Sequence, residues 1–207
     1  MSRLGKPSAA RARVGAPAVL ATALLMGAAR AAGSGAPPTI EVTADDHGAS
    51  GDVRASVEID APRALVWAVM TDCAGVPRLM VNVRSCTVLE HDPGGRWDVR
   101  EQVTNASLLP AVRTVLRSDY DYPRSVRFHR TGGDFKVLEG SWLLESLDGG
   151  RRTRVTYASR MTAPFALPKF IVRAVLRRDL PHTLTNLRQA CEARRGAPAR
   201  AVAATTP

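Results

Sequence analysis

The sequence predicts an α+β domain: an antiparallel sheet of about six to seven strands covered by one long C-terminal helix. Three observations carry this. From Val83 to Met161, short alternating segments follow one another with turn signals at hairpin spacing: Pro93-Gly94-Gly95, Asn105, Tyr122-Pro123, Gly132-Gly133 and Gly149-Gly150. From Pro168 to about Arg194 there is no glycine, and apolar residues recur at helical spacing from Phe170 through Leu180, Leu184 and Leu187 to Cys191. At 207 residues and 45% hydrophobic content, the chain has material for one sizeable core and no need of two. A sheet with one apolar face is most simply covered by the one long amphipathic element available.

Residues 1–31 stand outside this domain. Arg3, Lys6, Arg11 and Arg13 precede a 12-residue apolar run from Ala18 to Ala29, too short to span a bilayer, and Ala29-Arg30-Ala31 has the small-x-small pattern of a signal-peptidase site. The expectation is a cleaved secretory signal and a periplasmic protein beginning near Ala32, with an uncleaved anchor as the alternative. Removing five basic residues and no acidic one lowers the net charge from +10 to +5. The remaining excess is spread along the chain, with no nucleic-acid motif, which argues against a nucleic-acid partner. Residues 32–52, rich in Ala, Gly, Pro and Ser, read as a flexible leader.

The domain is then expected over 53–195. Val53, Ala55, Val57 and Ile59 alternate with polar residues, a half-buried strand. Asp60-Ala61-Pro62 offers a helix start with Asp60 or Ala61 at the cap, and Leu65, Val66, Val69 and Met70 form the apolar stripe of a short helix ending near Asp72. Between Val112 and Tyr120, residues Thr114, Leu116, Ser118 and Tyr120 share one face. In the last hairpin Trp142 and Leu144 share a face on one strand, and Thr153, Val155, Tyr157, Ser159 and Met161 on the other. Pro181 lies inside the long helix and removes one of its backbone bonds. The tail 196–207 has no period and reads as disordered.

Three cysteines in an exported chain pose a pairing question. Cys73 and Cys86, thirteen positions apart, are the expected disulfide, leaving Cys191 free. Cys86 falls in phase with Arg84, Val88 and Glu90, off the presumed core face; three reduced thiols is the alternative.

The segments VEIDAPRALVWAVMTDCAGVPRLMVNVRSCTVLEHD, EGSWLLESLDGGRRTRVTY and LPKFIVRAVLRRDLPHTLTNLRQACE resemble the START-like (SRPBCC) superfamily, and within it the polyketide cyclase and coenzyme Q-binding subfamily. The likeness runs from about Val53 to Arg194, and its motifs identify the fold better than they identify a job. The resemblance implies a helix-grip: a strongly curved sheet around the long helix, with a cavity for an apolar small molecule such as a lipid, a quinone or a polyketide-like compound. No cofactor is expected. The family holds carriers, quinone-binding proteins and cyclases, so function does not follow from the fold.

Alternation nominates Val99, Val103, Leu116, Tyr120, Phe128, Trp142, Leu144, Val155, Tyr157 and Met161 as cavity wall, with Phe170, Ala174 and Leu176 from the helix; for any one of them, plain core packing is the competing assignment. Glu101, in phase with Val99 and Val103, is expected to point inward, with Arg130 as its partner, unless a bulge puts both in water. The entrance is expected at Ala163–Pro168, where two prolines present Phe165 and Leu167 on a loop. Beside it the stripe Lys169, Arg173 and Arg177 is either an ordinary solvated face or a dock for an anionic membrane surface. His47, His91, His129 and His182 show no metal-ligand spacing, no serine sits in a nucleophile elbow, and no glycine-rich loop cradles a phosphate. Binding or transfer of a hydrophobic molecule is therefore the first expectation. A cyclase or aromatase using Glu101 and Tyr157 is the second, and a chaperone-like interaction domain the third.

Overall fold

Strict alternation builds one side of the sheet. In the computed structural model β2 (Ser50–Ile59) lies antiparallel to β8 (Arg152–Thr162), with Ile59 opposite Thr153, Val57 opposite Val155 and Ala55 opposite Tyr157. These residues share the inner face, where Ile59 and Val155 are fully buried. Asp52, Glu58, Arg154 and Arg160 share the outer one, in ion pairs that join the two strands, Arg154 to Glu58 at 2.8 Å and Arg160 to Asp52 at 3.2 Å. The structure describes residues 35–44, 50–105, 110–162 and 169–196. The expected signal segment, the tail beyond Gly196 and the expected entrance with Phe165 lie outside the described residues.

The remaining strands are β1 (Thr39–Ala44), β3 (Val83–His91), β4 (Trp97–Thr104), β5 (Val112–Asp121), β6 (Ser125–Gly133) and β7 (Val137–Leu147). Their order is β1-β2-β8-β7-β6-β5-β4-β3, antiparallel at every step, so the sheet is open and β1 and β3 are its edges. Eight strands, against six to seven expected, follow from a correction to the leader 32–52. Thr39–Ala44 pairs with the edge that β2 would otherwise leave free, from Thr39 opposite Ser56 to Ala44 opposite Gly51. The buried Arg188 holds the preceding residues: its guanidinium donates to the carbonyls of Gly35 (3.2 Å) and Ala36 (2.6 Å), while Nε donates to that of Glu58 (2.9 Å).

Helix α1 (Arg63–Thr71) is capped one residue past Ala61 and two past Asp60, the caps expected. Pro62 is the N-cap, and its carbonyl accepts from the N–H groups of Leu65 and Val66. A 3-10 turn, Cys73–Gly75, leads into the single turn α2 (Val76–Leu79). Cys73 and Cys86 are joined, their Cα atoms 5.4 Å apart, within the range a disulfide bridges. Cys86 sits opposite Gln102 on the inner phase of the sheet, not off the core face, so the bridge ties the helical segment to edge strand β3. At the β7–β8 turn, Gly149 (φ 68°) and Gly150 (φ 90°) take the left-handed backbone that a side chain disfavours.

Helix α3 (Lys169–Gly196) packs on the core from about Leu180 onward. Leu184, Leu187 and Cys191 are buried among Ile59, Val66 and Leu144, the helix resting on β1, β2, α1 and α2. The first half projects beyond this core: Phe170 is 73% exposed, Ala174 is exposed and Leu176 is half-buried. The expectation that these three face the cavity is thereby corrected. Their helical period is real, but Phe170 and Ala174 face solvent and none of the three lines the cavity.

Gly140 on β7 marks a close approach. A Cβ there would collide with the backbone carbonyl of Ala158 and lie 2.7 Å from Cζ of Phe128, whose ring crosses the strand at this point. Gly140→Ala is expected to lower stability by about 1–3 kcal/mol, the usual range for overpacking a filled interior. Urea denaturation followed by circular dichroism checks this, and a midpoint equal to that of the parent overturns it.

Candidate functional site

Between the sheet and the helices lies a cavity of about 150 Å³. One wall is helical, with Met70, Val76, Leu79 and Met80 from α1, α2 and the residue after it, and Leu187 from α3. The opposite wall is the inner face of β5 to β8, which contributes Leu116, Val126, Phe128, Leu138, Trp142 and Tyr157. The pairing register brings these together, with Val126 opposite Trp142, Phe128 opposite Gly140 and Trp142 opposite Tyr157. The Phe128 and Tyr157 rings stack with centroids 6.1 Å apart, and Trp142 lies 4.5 Å from Tyr157. Bare Gly140 leaves the room for that stack. Burial pushes the Tyr157 hydroxyl above the usual phenol range, so it stays protonated.

The cavity has one polar end, formed by Arg100 and Gln102 of β4, Ser118 and Tyr120 of β5, with Thr71 and Thr183 nearby. Asp98 and Arg100 are two apart on one strand and so share its inner face, where both are buried. Arg100 Nε donates to Asp98 Oδ1 at 3.0 Å and Nη2 to Asp98 Oδ2. Nη2 also donates to the Tyr120 hydroxyl (2.6 Å) and the Thr71 carbonyl (3.3 Å). Tyr120 in turn donates its O–H to Asp98 Oδ2 at 2.7 Å. Burial alone would pull the Arg100 pKa down, but the hydrogen bond to Asp98 and the charges beside it outweigh burial, and it is raised. Burial also pushes the Tyr120 phenol well above its ordinary value, so it serves as a neutral hydroxyl. The buried Trp67 packs edge-on against Tyr120, ring centroids 5.7 Å apart.

Of the residues nominated from alternation, the structure brings Leu116, Tyr120, Phe128, Trp142 and Tyr157 to the cavity. Leu144 and Val155 lie on the same face but wholly inside the packed core, and Met161 is half-buried beyond the lining. Val99, Glu101 and Val103 require a correction. They occupy the outer face of β4, where Glu101 is ion-paired with Arg113, and Arg117 lies 4.3 Å over the ring of their phase-mate Trp97. Arg130 does not meet Glu101; it is exposed and donates to the Gly133 carbonyl at 2.8 Å. The apolar phase of β4 is thus the wet one, its valines and tryptophan covered by arginine stems, while the polar phase turns inward.

Arg100, Gln102 and Asp98 were therefore missed. The signal that finds them is register: Ser118 sits opposite Asp98 and Leu116 opposite Arg100, so the inward phase of β5 dictates that of β4. Among the described residues no group of three His, Cys, Asp or Glu could hold a metal ion, and His91, His129 and His182 are exposed. Among them too, no helix is long and apolar enough to cross a membrane.

The family model described as "Polyketide cyclase / dehydrase and lipid transport" matches residues 59–188. No curated protein matches the chain. Among solved structures, the STAR-related lipid transfer protein of Xanthomonas axonopodis superposes with a TM-score of 0.64 at 16% identity, covering 77% of this chain and 98% of that one. The Zhui aromatase/cyclase of Streptomyces sp. R1128 gives 0.62 at 19% identity, with 72% and 97% covered. TTHA0849 of Thermus thermophilus gives 0.59 at 25% identity, with 69% and 98% covered. These likenesses establish the START helix-grip fold.

Proposed function

The chain belongs to the polyketide cyclase / dehydrase and lipid transport family, and from that premise we propose that it binds and transfers a compact hydrophobic molecule held between the sheet and α3. The observation that carries this reading is the cavity itself: an apolar chamber with a single polar end. Its volume, about 150 Å³, lies below the roughly 300–1,000 Å³ usual for drug-sized ligands and matches cavities that hold one aromatic ring. The ligand is then a ring-sized molecule, or the ring end of a lipid, quinone or polyketide-like compound. Export to the periplasm belongs to the proposal and is supported by the basic, apolar and Ala-x-Ala order of residues 1–31. Delivery at an anionic membrane is supported by the first half of α3, where Phe170, Arg173 and Arg177 are all exposed.

Native mass spectrometry of the protein purified from its own compartment, followed by solvent extraction, tests the reading. An apolar small molecule is expected with the parent protein and not with Ser118→Phe, which places a ring in the cavity. Equal recovery from both overturns the cavity as the site. A second reading, cyclase chemistry, draws on Arg100: its guanidinium could polarise a ligand carbonyl. Glu101 no longer supports it, being on the outer face. If this reading holds, Arg100→Gln abolishes turnover of a bound polyketide while binding persists.

A further inference from the structure

Arg100 is the only charged side chain among the described residues that line the cavity, and its charge is already matched. Asp98 stands behind it, off the lining, and takes both Nε and Nη2. The cluster as a whole is neutral. We infer that the cavity selects an uncharged ligand bearing a carbonyl or amide oxygen, and rejects carboxylates and phosphates of the same shape. This rests on the cavity-binding reading above and names its ligand class.

The hydrogen-bond inventory points the same way. Arg100 Nη1 has no partner among the described residues, so it offers its N–H groups to a ligand oxygen, and with Asp98 compensating the charge a neutral carbonyl meets that donor without a second carboxylate entering the site. The Tyr120 hydroxyl has spent its proton on Asp98 and one lone pair on Arg100, and the Ser118 hydroxyl stands beside it, so Arg100 Nη1 is the donor left for a ligand. A ligand anion entering here meets no unspent positive charge. It lies in a buried site beside the carboxylate of Asp98, where an unpaired charge is expensive. A neutral ligand of the same outline keeps the hydrogen bonds and avoids that penalty.

The probes are 4-ethylbenzamide and 4-ethylbenzoate, one ring each, nearly identical in outline and different in charge. Titration calorimetry at pH 7 with the intact protein is expected to show the amide binding at least tenfold more tightly. Asp98→Asn removes the matching charge and leaves Arg100 uncompensated, so the ratio is expected to fall at least tenfold or invert. A second arm needs no variant. Between pH 7 and pH 5 the affinity of the parent for the benzoate rises as the probe protonates, while that for the amide stays flat. Among the described residues the titratable groups at the cavity are Arg100, Tyr120 and Tyr157, with Asp98 behind. Equal binding of the two probes to the parent, a ratio unmoved in folded Asp98→Asn, or a pH-independent benzoate affinity overturns the charge selection and leaves cavity binding standing. Failure of both probes to bind anywhere in the range overturns the cavity-binding reading and the inference together.

Discussion

Arg100→Leu is expected to cost the domain about 3–5 kcal/mol, the range found when one partner of a buried ion pair is removed. The side chains of Arg100 and Asp98 are 8% and 10% exposed, so water does little to solvate either. Without the guanidinium, the Asp98 carboxylate keeps, among the described residues, only the Tyr120 hydroxyl and remains in a low-dielectric pocket. The loss reflects the stranded charge more than the intrinsic worth of the pair. The double variant Asp98→Leu/Arg100→Leu should therefore recover most of it, because two apolar residues leave no charge behind. Urea denaturation of both single variants and the double closes the cycle. A loss below about 1 kcal/mol in Arg100→Leu would place the pair in the class of solvated surface bridges and overturn the assignment of a buried polar end.

Opening the Cys73–Cys86 bridge is expected to cost about 3 kcal/mol, the chain-entropy value for a loop of roughly this length. The consequences should be local as well as global. Cys73 lies between α1 and α2, in the stretch that supplies Met70, Val76, Leu79 and Met80 to the cavity wall, and Cys86 lies on a strand paired on one side only. Cys73→Ser/Cys86→Ser should thus lower the thermal midpoint and weaken probe binding together. Alkylation gives the covalent check. Cys191 is fully buried, and burial pushes its thiol up to about 12, so the native protein should take no label. Unfolding without reductant should expose one thiol, and unfolding with reductant three. Three labels without reductant would refute the bridge.

How far the sequence could be read is clearest on individual strands. Along β2 Val53, Ala55, Val57 and Ile59 share one phase and Asp52, Arg54 and Glu58 the other, and along β8 Val155, Tyr157 and Met161 stand opposite Arg152, Arg154 and Arg160, so the inward side is legible. Gly149-Gly150 marked its turn because only glycine takes that backbone cheaply, and the glycine-free stretch after Pro168 marked α3. On β4 neither phase is clean: Trp97, Val99 and Val103 share theirs with Glu101, while Asp98, Arg100 and Gln102 share the other. Alternation then specifies two faces without saying which is inside. Long arginine stems on the neighbouring strand can cover tryptophan and valine from the wet side, and a cavity can tolerate charge when a second charge neutralises it.

By itself, then, the sequence determined the α+β class, the order of β2, α1, the six strands that follow and α3, the Gly149-Gly150 turn and the amphipathic character of the final helix, all of which are local properties of backbone preference and side-chain period. Tertiary structure alone decided that Thr39–Ala44 is a strand, that α3 packs on the core only from about Leu180 onward, and that Asp98, Arg100 and Tyr120 meet at the end of a cavity. Each of those depends on a partner distant in sequence: the free edge of β2, the place where the sheet lies under α3, and the register between β4 and β5. A residue's own neighbours along the chain carry no record of such partners. Their energies enter only when the strands pair and the helix docks.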